Sequence, residues 1–121
     1  MKQGAQALYS FFSSFGIPAY VEYTEPDGAN PPYITYELID PDWRGKAQLH
    51  ARVWYRDTSF IALAETVDRI RAALGEGVSI KTPSGAVYLW AADAWAQIQP
   101  MEGDRTLRCA YLSMIYEAHS E

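Results

Sequence analysis

The segment Thr106–Ala118, TLRCAYLSMIYEA, reads as a single strand that is apolar on both sides. Leu107, Cys109, Tyr111 and Ile115 fall on one side, and Ala110, Leu112, Met114 and Tyr116 on the other. Successive strand side chains point to opposite faces, so a strand with one wet face alternates apolar with polar. Apolar residues on both sides imply cover on both. The rest of the chain offers two helical segments, enough for one face of a sheet. A second copy of the chain would cover the other face, or the segment Val78–Trp90 would fold over it as a hairpin.

Outward from that strand, the order of elements follows from periodicity. Ala7, Leu8, Phe11, Phe12 and Phe15 share one stripe of a helix predicted over residues 3–15, with Gly16 as its cap and Pro18 preventing continuation. Strands are predicted at Ala19–Tyr23 and Tyr33–Ile39, separated by the loop Thr24–Pro32 (TEPDGANPP), which is longer than a tight hairpin needs. After the turn Asp40–Lys46 (DPDWRGK), Leu49, Ala51, Val53 and Tyr55 alternate with Gln48, His50, Arg52, Trp54 and Arg56 in the clearest strand. Asp57, Thr58 and Ser59 are N-cap candidates for a second helix, Phe60–Leu74, with a stripe of Leu63, Val67, Ile70 and Leu74 and a stop at Gly75 or Gly77. Val78–Lys81 and Ala86–Trp90 read as a hairpin around Thr82–Gly85, and Trp95–Gln99 as a short strand before the last one. Helix, three strands, helix and three or four further strands make an α+β domain, a mainly antiparallel β-sheet with two helices packed on one face.

Composition narrows the function classes. The chain has 121 residues, enough for one domain, and a formal net charge of −5, which argues against a general nucleic-acid binder with a basic face. Cys109 is the single cysteine and sits among apolar neighbours, which points to a buried small hydrophobe and to no intrachain disulfide. The opening residues lack a signal-peptide core and no run reaches membrane-spanning length, so the expectation is an intracellular protein without a membrane partner. His50 and His119 have no metal-ligand spacing around them, and Ser84 belongs to a turn. The pairs Asp40/Asp42 and Glu22/Glu37 are the only carboxylates whose closeness suggests acid–base work. Turn capping accounts for the aspartates and salt bridges for the glutamates. No catalytic, cofactor-binding or metal-binding residue is expected, and the chain reads as no enzyme.

Aromatic residues carry the stronger signal. Four tryptophans and nine tyrosines exceed what one small core requires, and tyrosine, tryptophan and arginine dominate protein interfaces. The candidate interface residues are Tyr20, Tyr36, Trp43, Arg44, Arg52, Trp54, Met114 and Tyr116. They are assigned to loops or to the sheet face away from the helices.

Several segments together resemble the tail terminator, or tail completion, proteins of long-tailed bacteriophages, the minor tail protein U type. They are FFSSFGIPAYVEY (Phe11–Tyr23), PPYITYEL (Pro31–Leu38), AQLHARVWYRDTSFIALAETVDRIRAAL (Ala47–Leu74) and RTLRCAYLSMIYEA (Arg105–Ala118). The likeness spans nearly the whole chain and lies in element order and pattern. It implies a structural protein of a phage or prophage that forms a ring, typically a hexamer. Such a ring caps the tail tube, ends its polymerisation and joins it to the head connector, in the host cytoplasm during assembly and then in the virion. The implied partners are further copies of the chain, the tube protein and the head–tail connector, with DNA passing the ring without specific binding. The family offers no active-site residues to carry over. The loop Thr24–Pro32 and the turn Asp40–Lys46 are candidate contacts for tube or connector. Two other readings fit the same pattern: another neck or head-closure component, and a small adaptor binding one protein through Trp43 and its neighbouring loops. A small-molecule enzyme or binding domain using Asp40, Asp42 or His50 stands further off.

Overall fold

The two-sided pattern of the last strand is explained by its place in the sheet. The computed structural model describes residues 2–39 and 46–120. Within them are α1 (Lys2–Phe12) continued by a 3-10 turn (Ser13–Phe15), β1 (Ala19–Val21), β2 (Tyr33–Tyr36), β3 (Lys46–Arg56), α2 (Ile61–Leu74), β4 (Val78–Thr82), β5 (Gly85–Pro100) and β6 (Leu107–Ser120). The strands form one sheet in the order β1-β2-β3-β6-β5-β4, so β6 is central. All pairs are antiparallel except β1 with β2, which are parallel. The long loop after β1 follows from this. A parallel return must carry the chain back along the strand, which a tight hairpin turn cannot do.

Both helices lie on one face, as the sequence predicts. Leu8, Phe12, Ile34, Leu49, Leu63, Ile70, Leu74, Leu89, Leu112 and Met114 are fully buried between helices and sheet. Each such side chain contributes roughly 1.5–3 kcal/mol relative to exposure. Phe12 stacks on Tyr36 with ring centroids 4.7 Å apart. Tyr55 reaches α2, its hydroxyl 2.7 Å from Thr66 Oγ1. Arg69 Nη1 donates to the Phe15 carbonyl at 3.1 Å, tying α2 to the 3-10 turn.

Local stop signals act where they were read. Gly16 ends the first helix in the left-handed conformation, φ 83°. Gly75 closes α2 by donating to the Arg71 carbonyl. None of Asp57, Thr58 and Ser59 is its N-cap: that position is Phe60, with no side-chain cap bond, and Ser59 Oγ just before it accepts the N–H of Ile61 at 3.1 Å. The Gln3 side-chain carbonyl accepts both the N–H and the hydroxyl of Ser84, at 3.1 and 2.6 Å, which anchors α1 to the β4–β5 turn.

Two expectations are corrected and one open alternative falls away. Tyr36, Met114 and Tyr116 were expected on the face away from the helices, but they are buried at 2%, 0% and 2% exposure on the helix side. The cause is register: β3 pairs with β6 so that Leu49 stands beside Met114 and Ala47 beside Tyr116, and Leu49 belongs to the core. The hairpin of β4 and β5 does not fold over the second face; it extends the same sheet at its edge. Finally, Ala86–Trp90 and Trp95–Gln99 are one strand, β5, interrupted by a register shift between Ala91 and Ala96 where Ala94 takes φ 56°. A bulge of this kind keeps both halves paired to β6 and lets Trp95 pack against the core.

Candidate functional site

The sheet face turned away from the helices collects a large group of aromatic and charged side chains. Strand alternation places Tyr20 of β1 and the following Glu22, Tyr33 and Thr35 of β2 and the following Glu37, and His50, Arg52 and Trp54 of β3 on this face. β6 adds Cys109, Tyr111, Ile115 and Glu117, and β5 adds Tyr88 and Trp90.

These side chains lie over one another as a second layer. Tyr20 meets Tyr33 edge to face at 5.9 Å, and Tyr33 lies 6.3 Å from Trp54. The Trp54 indole N–H donates to Thr35 Oγ1 at 3.0 Å, which satisfies a hydroxyl that is itself buried. Arg52 pairs with Glu22 and lies 4.8 Å over the Tyr111 ring, and His50 stacks on the same ring at 4.9 Å. The Glu37 carboxylate accepts the backbone N–H of His50 at 2.8 Å and faces its Nδ1 at 2.9 Å. Under this layer Cys109 is fully buried although it is no part of the helix-side core. Burial pushes its thiol up to about 11, with Arg52 pulling weakly the other way. Burial likewise raises the Tyr33 phenol, reinforced by the nearby Glu25 carboxylate.

Tyr20, Arg52 and Trp54 are thus brought together as predicted, whereas Tyr36, Met114 and Tyr116 are core residues. Trp43 and Arg44, like Asp40 and Asp42, lie outside the described residues. Glu22 and Glu37 lie just beyond the ends of the paired strands β1 and β2, not within them as read; Glu22 pairs with Arg52, and Glu37 faces the His50 ring. Sequence reasoning missed Tyr33, Tyr111, Tyr88 and Trp90 as members of this face. Their place on this face follows from cross-strand register, Tyr33 beside Trp54 and Tyr111 beside Arg52, which no local sequence signal carries.

Towards β4 the layer opens. A groove of about 540 Å³ is lined by Tyr88, Trp90, Glu117 and His119 together with Glu76 and Gly77. His119 Nε2 lies 2.6 Å from Glu117 Oε1, and its ring meets Tyr88 edge on at 5.3 Å. The Lys46 ammonium lies 5.6 Å from the centre of the Trp90 ring. At the opposite end of the sheet, Tyr23 is 87% exposed with φ 67°, an uncommon conformation for a non-glycine residue, at the start of the long loop.

Among the described residues no three histidine, cysteine or acidic side chains are grouped to hold a metal ion, and no helix is long and apolar enough to cross a membrane. The chain matches no protein-family model and no curated protein.

Proposed function

We propose that this chain is a structural protein of a long-tailed bacteriophage or prophage, a tail terminator whose copies close into a ring on the tail tube and join it to the head connector. The reading rests on the resemblance in element order, and one structural observation carries it further: the second face of the sheet. That face presents large, rigid aromatic side chains beside the Arg52–Glu22 ion pair, with the Glu37 carboxylate hydrogen-bonded by the His50 backbone N–H and facing its ring. Such a surface can be covered by protein without stranding an unpaired charge, the main cost of burying ionic groups. Aromatic and arginine side chains held half-buried also lose little conformational freedom on association. A head-to-tail contact using this face closes into a ring when its rotation closes.

Light scattering coupled to size exclusion, over a range of protein concentrations, tests the proposal. The expected result is a discrete species of about six subunits, ring-shaped in negative stain. A chain that stays monomeric alone and when mixed with tail tubes, or that forms open filaments, overturns it.

A further inference from the structure

We propose that the groove beside β4 is a docking site for a basic side chain, lysine or arginine, presented by a protein partner. Tyr88 and Trp90 stand two residues apart on β5 and so project from the same side, lining the groove with aromatic surface. Glu117 and Glu76 supply two carboxylates, Glu117 being the cross-strand neighbour of Tyr88 and of Lys46 and in contact with His119. Among the described residues Lys46 beside the Trp90 ring is the one lysine or arginine at the groove. A cation is attracted both by the negative face of an aromatic ring and by a carboxylate beside it. This chain already displays the contact it would offer. The Lys46 ammonium lies 5.6 Å from the Trp90 ring centre, within the range of a cation–π contact.

Gly77 lines the groove at φ 136°, and a Cβ there would lie 3.8 Å from Trp90 Cβ, an ordinary van der Waals contact. His119 also lines it, edge on to Tyr88 and 2.6 Å from the Glu117 carboxylate. The resulting trough is open to solvent along its length. It suits a side chain entering from another protein surface better than a small molecule needing enclosure. The inference does not depend on the ring: a monomeric chain would leave the groove intact, and an unoccupied groove would leave the ring reading standing.

The test is a titration of the full chain labelled with 5-fluorotryptophan, followed by fluorine NMR. The four tryptophan resonances are assigned by single Trp→Phe replacements. Nα-acetyl-lysine methylamide is the probe, and the norleucine analogue, equal in apolar stem but uncharged, is the control. The expected result is a saturable shift of the Trp90 resonance at millimolar probe, absent with norleucine. Glu117→Gln should weaken binding about threefold, and Lys46→Met should tighten it about twofold by removing a competing like charge. Equal shifts with the two probes, or no Trp90 response up to about 100 mM lysine probe, overturn the proposal. Tighter binding of choline than of the capped lysine also overturns it, by assigning the groove to a small quaternary ammonium.

Discussion

Cys109 and Asp104 show how much a single environment dictates at the residue scale. Cys109 lies on the face away from the helices, where a thiol would ordinarily meet water, yet it is fully buried with its thiol pushed up to about 11. The thiolate is the reactive form, so burial and a raised pKa both suppress its chemistry. Ellman's reagent at pH 8 should therefore react with native protein at least about tenfold more slowly than with protein unfolded in guanidinium. Equal rates would mean that the aromatic layer does not seal the site. Asp104 is the opposite case. Arg56 Nη1 donates to its carboxylate at 2.5 Å, Thr106 adds its hydroxyl and backbone N–H, and the carboxyl is held well below the usual range. A carboxylate stabilised in the folded chain contributes stability above its unfolded pKa and loses it as pH falls through the folded one. Asp104→Asn is expected to lower Tm at pH 7, with the gap from the parent narrowing once pH drops below about 4. A gap that stays constant down to pH 2 would remove Asp104 from the account of acid stability.

At the scale of the element, β6 and β3 behave differently although both are long central strands. In β3 one set of residues is apolar and the other is polar or aromatic, so Leu49, Ala51 and Val53 could be placed in the core, with Arg52 and Trp54 on the far side. In β6 both sets are apolar, and alternation states which residues share a face without stating which face meets the helices. That choice is made by the pairing of Leu49 with Met114 and Ala51 with Leu112, and register between strands so far apart in sequence leaves no local trace. Tyr36 was misplaced for the same reason, since a tyrosine suits either a core or an interface. Helix C-termini and turns were legible because glycine and proline act locally, whereas the parallel pairing of β1 and β2 and the joining of both halves of β5 depend on distant partners. The two faces now make distinct predictions. Met114→Glu places a charge in the core and should unfold the chain, losing more than about 4 kcal/mol of stability in urea titration. Trp54→Glu should cost less than half of that and leave near-native circular dichroism, because the position is only half-buried. If Trp54→Glu unfolds the chain as readily as Met114→Glu, the aromatic layer is an intrachain core and not a surface available to a partner.

For the whole molecule, charge and topology set the terms. Each copy carries a formal net charge of −5, so copies brought together repel one another. Salt screens that repulsion, and the assembled species sought by light scattering should appear at lower protein concentration as ionic strength rises. Assembly that weakens with salt would point to attraction between opposite charges across the contact rather than to the aromatic face. Topology has a consequence of another kind. The strand order places β1, β2 and β3 on one side of β6 and β5 and β4 on the other, and β3 and β5 do not touch through any ladder of their own. The last strand in sequence is thus the keystone of the sheet. While the polypeptide is being synthesised, the first three strands and the β4–β5 hairpin emerge as two unjoined pieces, each with an unpaired edge. Only when Leu107–Ser120 has been made can it slide between them and convert two aggregation-prone ribbons into one continuous sheet.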